Sequence, residues 1–198
     1  MMMEHKIKML TLPRSGGTLI WRIMRFVFKS NVNSDHVLAP AVKNPNVLVF
    51  RDIRDCLISY HRAIQKDINS KKAIDSMDTY ILHCGNHLIR HINRGCLELR
   101  YEEFFSDYNF IFTKIEEHFK IKIKPNLKDK IINETSIEKH KAIQQRFKKW
   151  EQYDPVTKIH GRHIYKGEIG GWKKEVPENL HDYFTNKVKL YLVKLRYL

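Results

Sequence analysis

The chain has 198 residues, 42% hydrophobic and 29% charged, with a formal net charge of +14 at pH 7. That balance excludes a disordered or low-complexity chain, and no internal repeat or apolar run of the ~20 residues needed to span a bilayer is present. Three cysteines without paired spacing, Cys56, Cys84 and Cys96, give no sign of a disulfide framework or a zinc module.

An intracellular, cytoplasmic setting is therefore expected, and the N-terminal "MMMEHKIKMLTL" has too short an apolar stretch for a secretory signal. The positive charge attracts anions. Nucleic acid, an anionic membrane surface, an acidic polymer or a polyphosphorylated small ligand would each fit, and a solvated lysine-rich surface accounts for most of the excess.

In chain order, "HKIKML" alternates and predicts a first strand. Ile20, Ile23, Met24 and Val27 recur at helical spacing and predict a helix from about Gly17 to Lys29. "NPNVLVF" reads as a strand buried on both faces. Helices are expected from about Arg54 to Lys66 and from about Ile74 to Asn93. The second carries His83, His87 and His91 on one face, a half-exposed surface rather than a metal site, for want of a further ligand. "GCLELRY" predicts another strand, and Phe104, Tyr108, Ile111, Ile115 and Phe119 a helical stripe. Residues 125–150 read as a short helix, a break and another helix. Residues from about 151 to 174 are glycine-containing, aromatic and basic, the pattern of a mobile basic lid, with a simple surface loop as the alternative. A closing helix is expected over about 177–196, opening at Pro177 with Leu180, Phe184, Val188, Leu192 and Leu195 on its inner face.

Strands alternating with helices predict an α/β fold of three layers, a central, mostly parallel β-sheet flanked by helices, in a single domain over 1–198. Ligands of such sheets sit beyond the carboxyl ends of the strands. The first post-strand segment, "PRSGGT" at 13–18, has the physical make-up of a phosphate- or sulfate-binding turn. Glycines let backbone N–H groups converge, the next helix adds its positive end, Arg14 adds a cation, and Ser15 and Thr18 add hydroxyls. A plain strand-to-helix turn is the duller alternative. The Gly-Lys-Ser/Thr ending of nucleotide triphosphatases is missing, which disfavours magnesium-dependent NTP hydrolysis and a kinase-like phosphotransferase. In "VFRDIRDCLISY", Arg51 ends a buried strand and Ser59 lies eight residues on, so the two could grip a second phosphate; Arg51 could equally pair with Asp52 or Asp55 at the surface. His36 in "SDHVLAP" reads, on its own, as a surface histidine.

Taken together, these motifs resemble the PAPS-dependent sulfotransferases, PAPS being 3′-phosphoadenosine 5′-phosphosulfate. The family's Pro-Lys-Ser-Gly-Thr-Thr-Trp signature, which grips the 5′-phosphosulfate, is similar to Pro13-Arg14-Ser15-Gly16-Gly17-Thr18-Leu19. Its strand-end Arg with Ser eight positions later, which holds the 3′-phosphate, is similar to Arg51 and Ser59. "DHVLAP" resembles the segment that carries the catalytic His and makes His36 the candidate base. "LRYEEF" and "ETSIEKHK" resemble adenine-lining segments and put Tyr101, Thr135 and Ile137 there. "YKGEIGGWK" resembles the family's lid over the 3′-phosphate, with Lys166, Gly167, Gly170 and Trp172 in place.

The sequence departs from the family in four places. Arg14 replaces the family's Lys, Leu19 replaces its adenine-stacking Trp with Trp21 two places on, and Tyr165 replaces the first basic residue of the lid, for which Arg162 could compensate. About seventeen residues separate the first loop from His36, fewer than in animal cytosolic members, so part of the family's usual acceptor pocket is expected to be missing. The family's C-terminal dimer motif is not recognisable.

The resemblance implies sulfuryl transfer from PAPS to a hydroxyl or amine, with PAP (adenosine 3′,5′-bisphosphate) as product and no metal. His36 would be general base and Arg14 the charge stabiliser; Ser15, Gly16, Gly17 and Thr18 would hold the 5′ end, and Arg51, Ser59, Lys166 and Gly167 the 3′ end. The acceptor class stays open: the basic surface would suit an anionic saccharide, and small alcohols, phenols, lipids and peptide tyrosines remain. No specific nucleic acid is expected as a partner. A family member that binds PAPS or PAP without catalysis and a basic nucleic-acid-binding protein are the rival readings.

Overall fold

The computed structural model describes residues 7–29, 32–35, 44–64, 66, 68–77, 79–162, 164 and 167–198. Among the described residues, four strands, β1 (Ile7–Thr11), β2 (Val32–Asp35), β3 (Val47–Phe50) and β4 (Leu97–Arg100), form one sheet in the order β2-β1-β3-β4. Every pairing is parallel, with Leu10 opposite both Asp35 and Leu48, and Phe50 opposite Arg100.

The sheet is buried on both faces, and its residues alternate between two cores. Leu48 and Phe50 of β3 join one cluster with Leu57, Ile81, Leu88, Phe184 and Leu192. Val47 and Val49 join the other with Ile20, Met24, Phe112, Ile115 and Ile131. The first is covered by α2 (Ile53–Ala63), α4 (Thr79–Leu88), α10 (His181–Lys187) and α11 (Lys189–Lys194). The second is covered by α1 (Gly17–Phe28), α6 (Tyr108–Phe119) and α7 (Pro125–Thr135). This gives the three layers expected of the chain. No helix among the described residues is long and apolar enough to cross a membrane.

The backbone is more broken than the apolar stripes suggest. The helix expected over 74–93 is two, α3 (Lys71–Asp75) and α4: Ser70 caps the start of α3 by accepting from the Ala73 N–H at 3.1 Å, and at its end the Ser76 hydroxyl donates back to the Ala73 carbonyl at 2.9 Å. The stripe beginning at Phe104 divides into α5 (Tyr101–Phe104) and α6, with Ser106 at φ 64 between them. The closing helix expected over 177–196 is a 3-10 turn (Glu178–Leu180) followed by α10 and α11, which meet at Val188. Its predicted inner face, Leu180, Phe184, Val188, Leu192 and Leu195, is nevertheless buried throughout. Periodicity reports which side chains go inside, whereas helix continuity also depends on local capping. The other helices are α8 (Ile137–Gln144) and α9 (Trp172–Glu175).

The strand order reverses between β1 and β3. The chain leaves β1 outward to β2 and returns on the other side as β3. A crevice opens at the carboxyl ends of strands flanking such a switch point. The turn after β1, Arg51 after β3 and Tyr101 after β4 all lie at that end of the sheet.

Candidate functional site

The turn after β1 is fixed from within. The Leu12 N–H donates to the Val49 carbonyl at 2.8 Å, and the Ser15 N–H to the Leu12 carbonyl at 3.2 Å. The Ser15 hydroxyl is fully buried and lies 2.6 Å from the Leu12 carbonyl and 3.1 Å from that of Val49, bracing the turn against β3. Gly16, at φ 80, is the left-handed cap of α1, where a Cβ would stand 3.0 Å from the Tyr101 ring and 3.1 Å from that of Phe104. Glycine is thus required there both for its backbone angle and for the approach of two aromatic rings. Helix α1 has no acidic residue in its first turn, so its positive end is not countered locally. Gly17 and Thr18 are buried in that turn, and Gly16, Thr18 and Leu19 line a cavity of about 430 Å³.

Arg14 reaches across the mouth of this turn. Its Nε donates to the Ser59 hydroxyl at 3.0 Å, and its guanidinium lies 4.9 Å from the centre of the Trp150 ring. Trp150 is in turn stacked on His160, with centroids 4.6 Å apart. Burial pushes the Arg14 guanidinium down to about 10. Ser59 therefore bridges to the turn after β1, whereas its spacing grouped it with Arg51.

Arg51 is buried and held on three sides. Its Nη2 pairs with the Asp55 carboxylate at 3.0 Å and donates to the Glu168 carbonyl, and its guanidinium lies 4.4 Å from the Tyr101 ring centre. The Asp55 partner foreseen as a surface pairing is itself a buried group. Tyr101 donates from its hydroxyl to the Gly167 carbonyl at 3.0 Å, and burial pushes its phenol up to about 12 against the pull of Arg51. Arg62, one turn beyond Ser59, pairs with Glu175, and both line the cavity.

The remaining wall is mostly apolar and aromatic: Phe104, Phe105, Tyr108, Ile132, Ile137 and Ile164. Thr135 lies on it too, its hydroxyl 2.7 Å from the Ile131 carbonyl and 3.1 Å from the Tyr108 hydroxyl. His140, one turn beyond Ile137 and 7% exposed, belongs to this wall, and burial pushes its imidazole down to about 4. It is a neutral polar group at pH 7.

The cavity thus brings together Arg14, Gly16, Thr18, Arg51, Ser59, Tyr101, Thr135, Ile137 and Gly167 from five stretches of chain. Ser15 and Gly17 shape its floor without lining it. His36, Tyr165 and Lys166 lie outside the described residues. Trp21 does not stand in for the family's stacking Trp, since it is packed in the core with Arg25 over its ring. Arg162, offered as a substitute in the lid, is not part of the cavity wall. The lid segment, expected to be mobile, is tied in the described residues by Asp55 to the Gly170 and Trp172 N–H groups and by Gln144 to Ile164.

Sequence reasoning missed Asp55, Arg62, Phe105, Tyr108 and His140 as cavity residues. Asp55 and Arg62 carried a usable signal, standing one turn from Arg51 and from Ser59 on α2. The others come from elements whose approach is set only by the tertiary fold. Among the described residues no three His, Cys, Asp or Glu side chains gather as a metal site.

The family model described as "Sulfotransferase domain" matches residues 32–194, so the turn after β1 precedes the matched span. No curated protein matches the chain. Among solved structures, the chain is similar in fold to the mouse sulfotransferase SULT7A1 complexed with PAP. That similarity has a TM-score of 0.67 at 14% identity, covering 98% of this chain and 90% of the other. By the extent of the family match and the arrangement of its sheet, the chain belongs to the sulfotransferase family.

Proposed function

We propose that the protein transfers a sulfuryl group from PAPS to a hydroxyl or amine acceptor, releasing PAP. One observation carries the reading: two arginine centres, Arg14 and Arg51, at the ends of adjacent strands share a cavity whose other wall is aromatic and apolar. That combination suits a nucleotide with two separate anionic ends and a planar base. The PAP-bound sulfotransferase of similar fold supports the same ligand class.

In this reading Thr18 and the positive end of α1 hold the 5′ end, and Arg51 holds the 3′-phosphate with Lys166. Tyr101, Thr135 and Ile137 receive the base. Sulfuryl transfer, like phosphoryl transfer, is an in-line displacement in which charge builds on the leaving and equatorial oxygens. Arg14 meets that charge from a partly desolvated position, where a cation acts more strongly than in water. His36, which follows β2 in the chain, takes the acceptor proton. Anchoring of the 3′-phosphate far from the reacting bond fixes the donor's orientation.

The test is acceptor-dependent conversion of PAPS to PAP across a panel of saccharides, small alcohols, phenols and amines. His36→Ala is expected to abolish turnover and leave PAP affinity nearly unchanged. Wild-type turnover in that variant would remove His36 as base. Tight PAP binding with no product from any acceptor would favour a binding protein over an enzyme. Salt-dependent binding of DNA or RNA with indifference to PAPS would favour a nucleic-acid-binding protein.

A further inference from the structure

We propose that Asp55 is a positioning residue that joins Arg51 and the 168–172 segment into one anion-gripping unit. The proposal rests on the reading of Arg51 as the holder of the 3′-phosphate.

Asp55 sits in the first turn of α2 and is 3% exposed. Its Oδ2 accepts from Arg51 Nη2 at 3.0 Å and from the Gly170 N–H at 2.8 Å. Its Oδ1 accepts from the Trp172 N–H at 3.0 Å. Arg51 closes the circuit by donating to the Glu168 carbonyl. One carboxylate thus fixes the arginine and, more than a hundred residues on in the chain, the backbone of the segment beside it. Gly170 holds a φ of +71 within this arrangement, so the segment's path is specific.

A buried carboxylate is tolerated because its lone pairs are taken, and here both oxygens are engaged by three donors. Removing its charge would release Arg51 from its orientation and leave two backbone N–H groups competing for one oxygen. Asn at this position also turns an N–H group toward donors. The fault would therefore appear at the 3′-phosphate and not at the 5′ end, which the β1–α1 turn holds.

The experiment is a double-mutant cycle read with two nucleotides, PAP and adenosine 5′-monophosphate. The ratio of their dissociation constants is the advantage conferred by the 3′-phosphate. Asp55→Asn is expected to cut that advantage by about tenfold or more while changing monophosphate affinity by less than about threefold. Arg51→Ala should erase the advantage, and the double variant should lose no more than Arg51→Ala alone. Equal losses for both nucleotides, no loss, or additive losses in the double variant would overturn the proposal. Absence of any 3′-phosphate advantage in the wild-type protein would instead overturn the assignment of Arg51 on which it rests.

A measurement on the unaltered protein guards against a variant that does not fold. The Gly170 and Trp172 amides should exchange with solvent hydrogen slowly, and more slowly still with PAP bound. Exchange at the rate of an open loop, with and without PAP, would also overturn it.

Discussion

Arg51 is closed into an ion pair with Asp55 at 3.0 Å, whereas Arg14 hydrogen-bonds a neutral hydroxyl, Ser59, at 3.0 Å and lies over the Trp150 ring. The two cations stand on neighbouring strand ends of one sheet and line the same cavity. Burial acts on both, yet Arg14 is lowered to about 10 while Arg51 is held above its ordinary value, where Asp55 helps to outweigh burial. The difference separates two jobs. A compensated arginine has a fixed direction and serves orientation. A desolvated arginine that also feels the positive charge of Arg62 and Arg51 is ready for a negative charge that arrives with the ligand and grows in the transition state.

Four changes would break or sharpen this contrast. The largest effect is expected on stability. Arg51→Ala leaves Asp55 buried without its cation and should destabilise the fold by about 3–5 kcal/mol in urea unfolding. Arg14→Ala should cost far less; equal losses would end the distinction between the two arginines.

On turnover the order inverts. Arg14→Ala should lower kcat by about 10²–10³-fold, as removal of a preorganised charge stabiliser does. Arg14→Lys should recover most of that rate, since it keeps the cation and loses only the planar contact with Ser59 and Trp150. A kcat unchanged in Arg14→Ala would contradict its assigned role.

The third change concerns the apolar wall. His140 is lowered from 6.5 to about 4 by burial, so between those pH values the unfolded chain takes up a proton that the folded chain does not. Stability conferred by this group is therefore full above about pH 6.5 and falls as pH drops toward 4. Other partly buried histidines, His87, His91, His118 and His160, are lowered too and add to the same fall. His140→Met should flatten the slope in this window by about 1.4 kcal/mol per pH unit, one proton's worth, in urea titrations at stepped pH. An unchanged slope would show that this histidine is already protonated or exposed.

The smallest effect belongs to Trp150→Leu. Loss of its ring from Arg14 should weaken PAP binding by about 0.5–1 kcal/mol, without altering the advantage of PAP over adenosine 5′-monophosphate. A selective loss of that advantage would tie Trp150 to the 3′ end instead.

How much of this was readable in the chain follows from the range of the interactions. β1, β3 and β4 announce themselves by continuous or alternating apolar residues. β2, with the sequence Val-Asn-Ser-Asp, has one apolar residue and is a strand only because it lies beside β1. The turn at 13–18 and the Arg51–Ser59 spacing are local, and both come to the cavity. The partners are not local. Ser59 meets Arg14 across 45 residues of chain, and Asp55 meets Gly170 across 115. The Ser15 hydroxyl, read in the chain as one of the turn's polar groups, donates toward the Leu12 and Val49 carbonyls, partners that only the packing of the turn on β3 supplies. Trp21, two places on from Leu19, is committed to the core by its place on the inner face of α1.

The central claim is that this cavity holds a nucleotide carrying a 3′-phosphate. Calorimetric titration with PAP, beside ATP plus magnesium, addresses it most directly. The account predicts micromolar or tighter binding of PAP and binding of ATP weaker by at least about tenfold, a difference of ~1.4 kcal/mol. No heat with PAP, or tighter binding of ATP, would contradict it.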